Sequence, residues 1–521
     1  MTWVQPARPL GGSPTAPACG SVRAPFPGNK VACTALAVLA GWLCTAPVHA
    51  QSIPAPASVP APAATSAPPP AVDQTASEPG FTTGLFSPSR STLLGDLGGL
   101  RTALGILGVT LGIQDVNEVL GNVSGGTRRG ADYDGVTMVS IGVDTDKAFG
   151  LKGGTFNISA FNIRGRNLST DDLSTLQTAS GFEADPTTRL WEVWYQQAFL
   201  DDAFDVKFGQ QSLDQEFITS QGSALFINTS MGWPMLPSAD LYAGGPAYPL
   251  SSLGVRLRAQ PGGGFTLLAG VFQDNPPGGP FDADGQLLGS TRWGGNFNLR
   301  TGALFIAEVQ YALNQPSPGQ MDDGKHPAGL PGTYKLGFWY DTGAFPSPQF
   351  DTTGTSLASP FSNGMPRMVP DNFSVYAVAD QVIWQPDPKG PQALGVFARV
   401  MGAPNDRNEI SFSVNSGVTL KAPLPGRDND TLGLGFGVAK VSTAVQGFDS
   451  ATGFFTGTAY PVRTSETFIE LTYQIQVAPW WQLQPDFQYV FNPGGGLLNP
   501  NQPGKRIGNE AVLGLRSTVL F

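Results

Sequence analysis

Apolar and polar residues alternate over short stretches along most of the chain. Residues 253–260 (LGVRLRAQ) set Leu, Val, Leu and Ala against a second row that carries Arg256 and Arg258. Residues 190–197 (LWEVWYQQ) set Trp191, Val193 and Tyr195 against Glu192, Trp194 and Gln196. Successive side chains of a β-strand point to opposite faces. The pattern therefore predicts strands with one apolar face and one polar, partly charged face.

Such segments recur from about residue 109 to the end of the chain, separated by loops rich in Gly, Pro, Asn and Asp. Sixteen are predicted, near residues 110–119, 135–143, 156–161, 190–197, 204–211, 253–260, 265–273, 304–313, 334–341, 374–384, 393–401, 409–420, 431–440, 467–477, 483–491 and 511–521. Short links such as 477–481 alternate with long ones such as 491–510. Strands of about 10 residues, with short turns on one rim and long loops on the other, are typical of a transmembrane antiparallel β-barrel. A soluble β-sandwich is the alternative.

The last segment ends on an aromatic residue, Phe521. We expect this strand to pair with the first one and close the barrel. Val519 and Phe521 then face lipid near the periplasmic rim, while Arg516 and Thr518 face the lumen. Trp480 and Trp481, at a short turn, suit an interfacial aromatic girdle; the alternative is ordinary core beside a turn.

The N-terminal part divides by composition. Residues 1–50 combine a basic start, an apolar run at 31–44 and APVHA at 46–50, which together predict a secretory signal peptide. A membrane anchor is the alternative, but the run is shorter than the ~20 residues that span a bilayer. Residues 51–80 are predicted to form an Ala/Pro-rich disordered tether, and residues 81–108 a short pre-barrel segment with a short helix. The barrel domain is predicted at 109–521.

The amino-acid composition supports a protein whose outer surface is not wholly exposed to water. Charged residues make up 13% of the chain, with 66 Gly and 32 Phe, against about 25% charged in a typical globular chain. The three cysteines, Cys19, Cys33 and Cys44, all lie in the predicted leader, so the exported chain has no disulfide framework. Loss of the leader changes the net charge from −10 to −13, which argues against nucleic acid as a partner.

The sequence contains few of the side-chain combinations that catalysis requires. After the leader, His326 is the remaining histidine, which argues against a His-based triad or a multi-histidine zinc site. Two suitably placed carboxylates would make a glycosidase, and the candidates are Glu192, Asp214, Glu216, Glu308 and Glu470. Their spacing pairs no two of them, so carboxylates that line a wet pore are the simpler interpretation. No catalytic residue, metal or cofactor is predicted.

Several long blocks resemble a known family, the carbohydrate-selective porins of the OprB type. They are residues 93–126, 154–169, 188–210, 232–261 and 468–495. The resemblance implies a 16-stranded outer-membrane barrel, a homotrimer, through which sugars diffuse passively. It also implies that a terminal aromatic residue, here Phe521, is recognised by the outer-membrane assembly machinery. Leu97 departs from the family, whose members usually have Trp there, and the tract at 51–80 is unusually long.

A sugar channel needs a narrowing, groups that hydrogen-bond hydroxyls, and aromatic faces that stack on sugar rings. The long segment between Gln211 and Ser251 is predicted to fold inward as a constriction loop; an extracellular cover is the alternative. The predicted pore-lining charges are Glu192, Lys207, Asp214, Arg256, Arg258, Glu308, Arg399, Glu470 and Asp486. Trp194 and Trp339, on the polar faces of their strands, are the stacking candidates.

These observations favour a passive outer-membrane channel for carbohydrates such as monosaccharides. The alternatives are a general porin without sugar preference, and a secreted β-rich glycan-active enzyme or adhesin.

Overall fold

The computed structural model describes residues 90–281, 285–286, 293–295, 298–315, 329–388 and 390–521. The predicted signal peptide, the predicted tether and His326 lie outside these residues. Among the described residues, no helix is long and apolar enough to cross a membrane.

Sixteen antiparallel strands form one closed barrel, in which each strand pairs with its neighbours in sequence and β1 pairs with β16. The strands are β1 Val109–Gly126, β2 Gly130–Asp144, β3 Gly154–Gly165, β4 Thr187–Phe199, β5 Phe204–Gln211, β6 Ser252–Gly262, β7 Phe265–Gln273, β8 Ala303–Leu313, β9 Gly332–Asp351, β10 Pro366–Trp384, β11 Ala393–Gly402, β12 Ile410–Lys421, β13 Thr431–Val441, β14 Ser465–Ala478, β15 Trp481–Phe491 and β16 Gly508–Leu520. Each of the sixteen predicted segments coincides with one of them.

The α-helices are short: α1 Leu100–Ile106, α2 Thr145–Phe149, α3 Thr229–Gly232, α4 Met235–Asp240 and α5 Thr443–Thr456. Helix α1 lies where the sequence predicts a pre-barrel helix, and its Arg101 donates a hydrogen bond to the carbonyl oxygen of Leu111 in β1 (2.5 Å). Shorter helical turns lie at Leu97–Gly99, Ser169–Leu173, Ser223–Leu225, Tyr242–Gly244 and Pro493–Gly495.

The two ends of the barrel meet as expected. Glu118 of β1 pairs in register with Arg516 of β16, and the two side chains form a buried ion pair on the inner face. The backbone N–H of Phe521 donates to the carbonyl oxygen of Ile113 (2.9 Å). Closure leaves no strand edge with unpaired backbone groups, which hydrocarbon does not tolerate.

Alternation along the strands separates two environments. Exposed apolar side chains form the outer wall, among them Val119, Leu257, Phe305, Leu336 and Leu513. Their sequence neighbours face inward and are largely buried. Because the outward positions are apolar on most strands, the wall suits contact with lipid.

One strand departs from simple alternation. Ser159 of β3 pairs with Glu192 and Ala160 with Leu190, so Trp191 forms a β-bulge. Trp191 is fully buried and packs on Phe161 of the inner face, with ring centroids 4.4 Å apart. The placement of Trp191 on the apolar outer face was therefore wrong, because the bulge shifts the side-chain alternation by one residue.

Candidate functional site: the pore constriction

The loop between β5 and β6, residues 212–251, is named here the constriction loop. It folds into the barrel rather than over it. Its Phe217, Leu236 and Met235 are buried in one apolar cluster with inward residues of distant strands, including Leu304 of β8 and Trp339 of β9. The loop therefore crosses the lumen and narrows it, as predicted, and the alternative of an extracellular cover is wrong.

Buried carboxylates of the far wall hold the backbone of the constriction loop. Glu308 of β8 accepts a hydrogen bond from the N–H of Ile218 (2.9 Å). Asp380 of β10 accepts from the N–H of Gly222 (2.8 Å). Glu470 of β14 accepts from the N–H of Ile227 (2.5 Å). Since all three acidic side chains are buried, these hydrogen bonds position the loop at three points along its path.

Arg399 of β11 holds the same loop through its carbonyl groups. Its guanidinium donates to the carbonyl oxygens of residue 218 (2.9 Å), residue 230 (2.5 Å), residue 231 (3.0 Å) and residue 232 (3.0 Å). It also donates to Asn415 of β12 (3.2 Å). One side chain thus satisfies four backbone carbonyls of the loop.

Opposite this anchored side, β5 and β6 carry a cluster of alternating charge. We name Asp205, Lys207, Glu216, Arg256 and Arg258 the charge cluster. Arg256 forms ion pairs with Asp205 and with Glu216, the latter at 2.6 Å between Nε and Oε2. Arg258 pairs with Asp205 at 2.5 Å, and Lys207 pairs with Glu216. Register explains the grouping, because Asp205 lies opposite Arg258, and Lys207 opposite Arg256, on adjacent strands.

The charge cluster is not uniformly covered. The side chains of Arg258 and Glu216 are 34% and 24% exposed, whereas that of Arg256 is 3% exposed. Trp194 of β4 is half-buried, lies 5.0 Å from the ammonium of Lys207, and donates from its indole N–H to Glu192 (3.2 Å). Opposed charges and one aromatic face thus meet on the same side of the lumen.

The ion pairs keep Glu216 charged. Burial raises the pKa of this carboxyl, but Lys207 and Arg256 outweigh burial and lower the pKa from 4.5 to about 2. Glu216 is therefore an anion at neutral pH.

Comparison with known proteins agrees with this architecture. The family described as carbohydrate-selective porin, OprB family, matches residues 128–521. The chain belongs to this family. Porin B of Pseudomonas aeruginosa is 25% identical over 455 residues, covering 84% of this chain and 92% of that protein. The putative porin QuiX of Acinetobacter baylyi is 23% identical over 431 residues, covering 79% and 90%.

The high-pH structure of Pseudomonas putida OprB resembles the porin with a TM-score of 0.71 at 23% identity. The matched region covers 83% of this chain and 99% of the Pseudomonas putida chain. The low-pH structure of the same protein gives a TM-score of 0.51 at 19% identity. The family and the fold confirm the predictions of a sixteen-stranded outer-membrane barrel and a carbohydrate channel, and membership of a porin family favours a channel over an enzyme.

The structure separates the predicted pore-lining residues into two groups. Glu192, Trp194, Lys207, Arg256 and Arg258 lie together around the charge cluster, where Trp194 and Arg258 are partly exposed and the other three are buried. Asp214 lies at the start of the constriction loop, where it accepts from the hydroxyl of Ser212 (2.5 Å) and the N–H of Tyr248 (3.1 Å).

The second group faces inward but does not line an open lumen. Glu308, Trp339, Arg399 and Glu470 are each at most 2% exposed beneath the constriction loop. Asp486 of β15 is 5% exposed and accepts from Gln488 (3.0 Å). Their placement as solute-contacting residues was therefore wrong, as was that of Trp339 as a stacking surface. An inward residue contacts solute only where no loop covers it, and the constriction loop packs on Glu308, Trp339, Arg399 and Glu470.

Sequence reasoning missed two kinds of residue. Asp205 and Asp380 share the polar faces of strands that were assigned correctly, so alternation could have found them. The β3–β4 loop (residues 166–186) is also buried in the lumen, and Glu466 of β14 accepts from the N–H groups of Leu176 (2.8 Å) and Gln177 (2.7 Å). No local pattern indicated this second inward loop. Among the described residues, no group of three or more His, Cys, Asp or Glu side chains could hold a metal ion.

Proposed function

We propose that the porin passes small neutral sugars, of about monosaccharide size, by passive diffusion between the constriction loop and the wall of β4–β6. The observation that carries this proposal is the charge cluster, in which accessible Arg258 and Glu216 present opposite charges and Lys207, the partner of Glu216, lies over the ring of Trp194. The proposed solute-contacting residues are Arg258, Glu216 and Trp194.

The physical argument rests on compensated charge. Guanidinium and carboxylate groups offer strong donors and acceptors to sugar hydroxyls, and an aromatic ring can stack on a sugar face. Close charges of opposite sign attract each other, so a simple ion gains little by entering. A neutral polyol exchanges its water hydrogen bonds for bonds to the cluster without a charge penalty.

Sugar-dependent conductance in a planar bilayer tests the proposal. Added glucose should reduce the ion current with saturation, and uptake in liposome swelling should be faster for a monosaccharide than for a disaccharide. A general porin would show no saturable block. Replacing Arg256 and Arg258 by Ala should lower sugar flux, while Arg427→Ala at the β12–β13 turn serves as a control. Unchanged flux in the double variant would place the selectivity filter elsewhere.

Catalysis is tested separately. Incubation of purified porin with oligosaccharides should release no reducing ends. Cell fractionation should recover the chain in the outer membrane, with heat-modifiable mobility on gels. Recovery of a soluble, sugar-cleaving protein would support the glycan-active alternative.

We further propose the division of the chain into a signal peptide at 1–50, an Ala/Pro-rich tether at 51–80, a pre-barrel segment at 81–108 and the barrel at 109–521. N-terminal sequencing of the outer-membrane protein should begin at Gln51. Because Phe521 ends the strand that closes the barrel, we propose it as the signal for the assembly machinery. The proposed assembly state is a homotrimer.

A further inference from the structure

Two buried aspartates lie together at the rim of the barrel where β7 ends and β8 begins. Asp274 directly follows Gln273, the last residue of β7. Asp341 of β9 pairs in register with Leu304, near the start of β8. Both aspartates are 0% exposed, and neither belongs to the charge cluster or to the anchors of the constriction loop.

Each carboxylate has one oxygen that is hydrogen-bonded and one that is not. Oδ1 of Asp274 accepts from the hydroxyl of Thr301 (2.6 Å), and Oδ1 of Asp341 accepts from the N–H of Gly343 (2.8 Å). Oδ2 of both aspartates is buried and accepts no hydrogen bond from the described residues. A buried polar atom without a partner is costly. Two such atoms on neighbouring carboxylates therefore indicate a bound group that the described chain does not itself supply.

Glycines leave a space between the two carboxylates. A Cβ on Gly343 would lie 3.0 Å from Oδ2 of Asp274 and 3.0 Å from Oδ1 of Asp341. A Cβ on Gly302 would lie 2.7 Å from Oδ2 of Asp274. Neither glycine has a positive φ, so the backbone conformation does not require glycine at either position. The absent side chains instead leave open the space on which both carboxylates converge.

The charge of this pair is not balanced by the protein. Among the described residues, no lysine or arginine forms an ion pair with either aspartate, and the charged groups that act on Asp341 are acidic. Asp205 provides a contrast, because it is equally buried but is paired with Arg256 and Arg258. Like charges in a buried place repel each other, so a cation in the space would stabilise the pair.

We propose that Asp274 and Asp341 bind a divalent cation of the Ca²⁺ and Mg²⁺ class at this rim. Such hard cations prefer oxygen ligands, and water completes their coordination where a site offers only one or two carboxylates. The cation occupies the space beside Gly302 and Gly343 and takes the two unpartnered Oδ2 atoms as ligands. It removes the repulsion between the carboxylates and links the start of the β7–β8 loop to β9.

The proposed cation site lies against the constriction loop. Tyr242 of that loop donates from its hydroxyl to the carbonyl oxygen of Ala344 (2.5 Å), and its Cε2 lies 3.0 Å from the Cβ position of Gly343. The cation therefore stabilises the strand on which this end of the loop rests. A ligand that binds the folded barrel and not the unfolded chain raises stability by mass action.

Thermal unfolding of the full mature chain, folded in detergent without lipopolysaccharide, tests the site. Lipopolysaccharide is omitted because its phosphates bind divalent cations themselves. After treatment with EDTA, added Ca²⁺ should raise the Tm of the wild type with saturation, whereas Na⁺ at the same ionic strength should not. Tb³⁺, a luminescent substitute for Ca²⁺ that nearby aromatic rings sensitise, should bind and be displaced by Ca²⁺.

Variants separate cation binding from a purely structural role. Asp274→Asn and Asp341→Asn keep the Oδ1 acceptors and remove one charge each, so both should lose the Ca²⁺-dependent shift in Tm and the Tb³⁺ luminescence. In EDTA, each should unfold at or above the Tm of the wild type, because one of two repelling charges is gone. Asp351→Asn is the matched control, since Asp351 is also 0% exposed on β9 but both of its oxygens accept hydrogen bonds, from Thr353 (2.7 Å) and Ser362 (2.8 Å). It should keep the full Ca²⁺-dependent shift.

A third variant tests the space rather than the charge. Gly343→Ala places a methyl group between the two carboxylates and should weaken Ca²⁺ binding with both charges intact. The proposal is overturned by a wild type with the same Tm in EDTA and in saturating Ca²⁺, by a shift that Na⁺ reproduces, or by a Ca²⁺-dependent shift that survives in Asp274→Asn. The first result, together with a higher Tm for Asp341→Asn, would mean that a proton rather than a metal ion neutralises the pair.

Discussion

Replacing Arg399 by Met should widen the pore. Arg399 is 1% exposed, and its guanidinium holds four carbonyl groups of the constriction loop, those of residue 218 and of residues 230–232, at 2.5–3.0 Å. Methionine fills much of the same volume but donates no hydrogen bond. The change therefore removes the loop's carbonyl anchors while leaving the strand ladder of β11 in place.

The size of the effect follows from the number of bonds lost. A hydrogen bond to a charged group contributes about 1.5–3 kcal/mol, and a buried carbonyl left without a partner costs about 1–3 kcal/mol. Four carbonyls that share one donor are not independent, so we take about 1 kcal/mol each, or about 4 kcal/mol in total. Each 1.4 kcal/mol is about tenfold in an equilibrium. Opening of the loop at residue 218 and residues 230–232 together should therefore become about a thousandfold more populated.

Single-channel conductance and liposome swelling measure the outcome. Arg399→Met should raise conductance and increase disaccharide uptake relative to monosaccharide uptake. Arg399→Lys keeps the positive charge but lacks the planar fork of donors. Its conductance and its disaccharide-to-monosaccharide uptake ratio should therefore lie between those of Arg399→Met and the wild type. Arg427→Met, which changes a rim arginine at the β12–β13 turn, serves as the control. A correctly folded Arg399→Met barrel with wild-type conductance and sugar ratio would refute the anchoring role of Arg399.

Three further outcomes are expected. In Arg256→Gln, Glu216 loses one of its two cations, so reversal potentials in a KCl gradient should shift toward cation selectivity; no shift would mean that the cluster does not face the ion path. The lowered pKa of Glu216, about 2 against an ordinary 4.5, means that its ion pairs stabilise the loop above pH 4.5 and lose that contribution as the pH falls toward 2. Conductance of the wild type should thus be constant from pH 7 to pH 5. In Lys207→Met the pKa of Glu216 rises, so the conductance change that follows its protonation should move to higher pH. Identical conductance–pH profiles for the two proteins would contradict the pairing of Lys207 with Glu216. Deletion of Phe521 should leave synthesis and export intact but reduce the amount of folded barrel in the outer membrane, measured by fractionation and heat-modifiability, and normal assembly would remove its proposed role.

Local alternation predicted much of the fold. The position of every strand could be read from the sequence. The alternation of apolar and polar side chains in a strand depends only on neighbouring residues and on whether each side chain faces lipid or the lumen. Closure between β1 and β16 followed from the same reasoning. Trp191 shows the limit, since a single β-bulge reverses the face of a residue and leaves no mark on the alternation itself.

The site could be predicted only in part. Alternation correctly assigns Arg256, Arg258 and Trp194 to the inner face, and adjacent strands bring them together. It assigns Arg399 and Trp339 to that face as well, but it does not reveal that the constriction loop covers them. Arg399 contacts backbone carbonyls about 170–180 positions away in sequence, a relation that no local pattern contains.

The sequence by itself determined the strands, the apolar outer wall and the inner polar face, because each depends on a side chain's immediate neighbours and its solvent. Only the tertiary structure decided which inner residues meet the pore and which anchor a loop. Those distinctions arise when strands and loops remote in sequence come within hydrogen-bonding distance, where burial and pairing together set the role of each charged group.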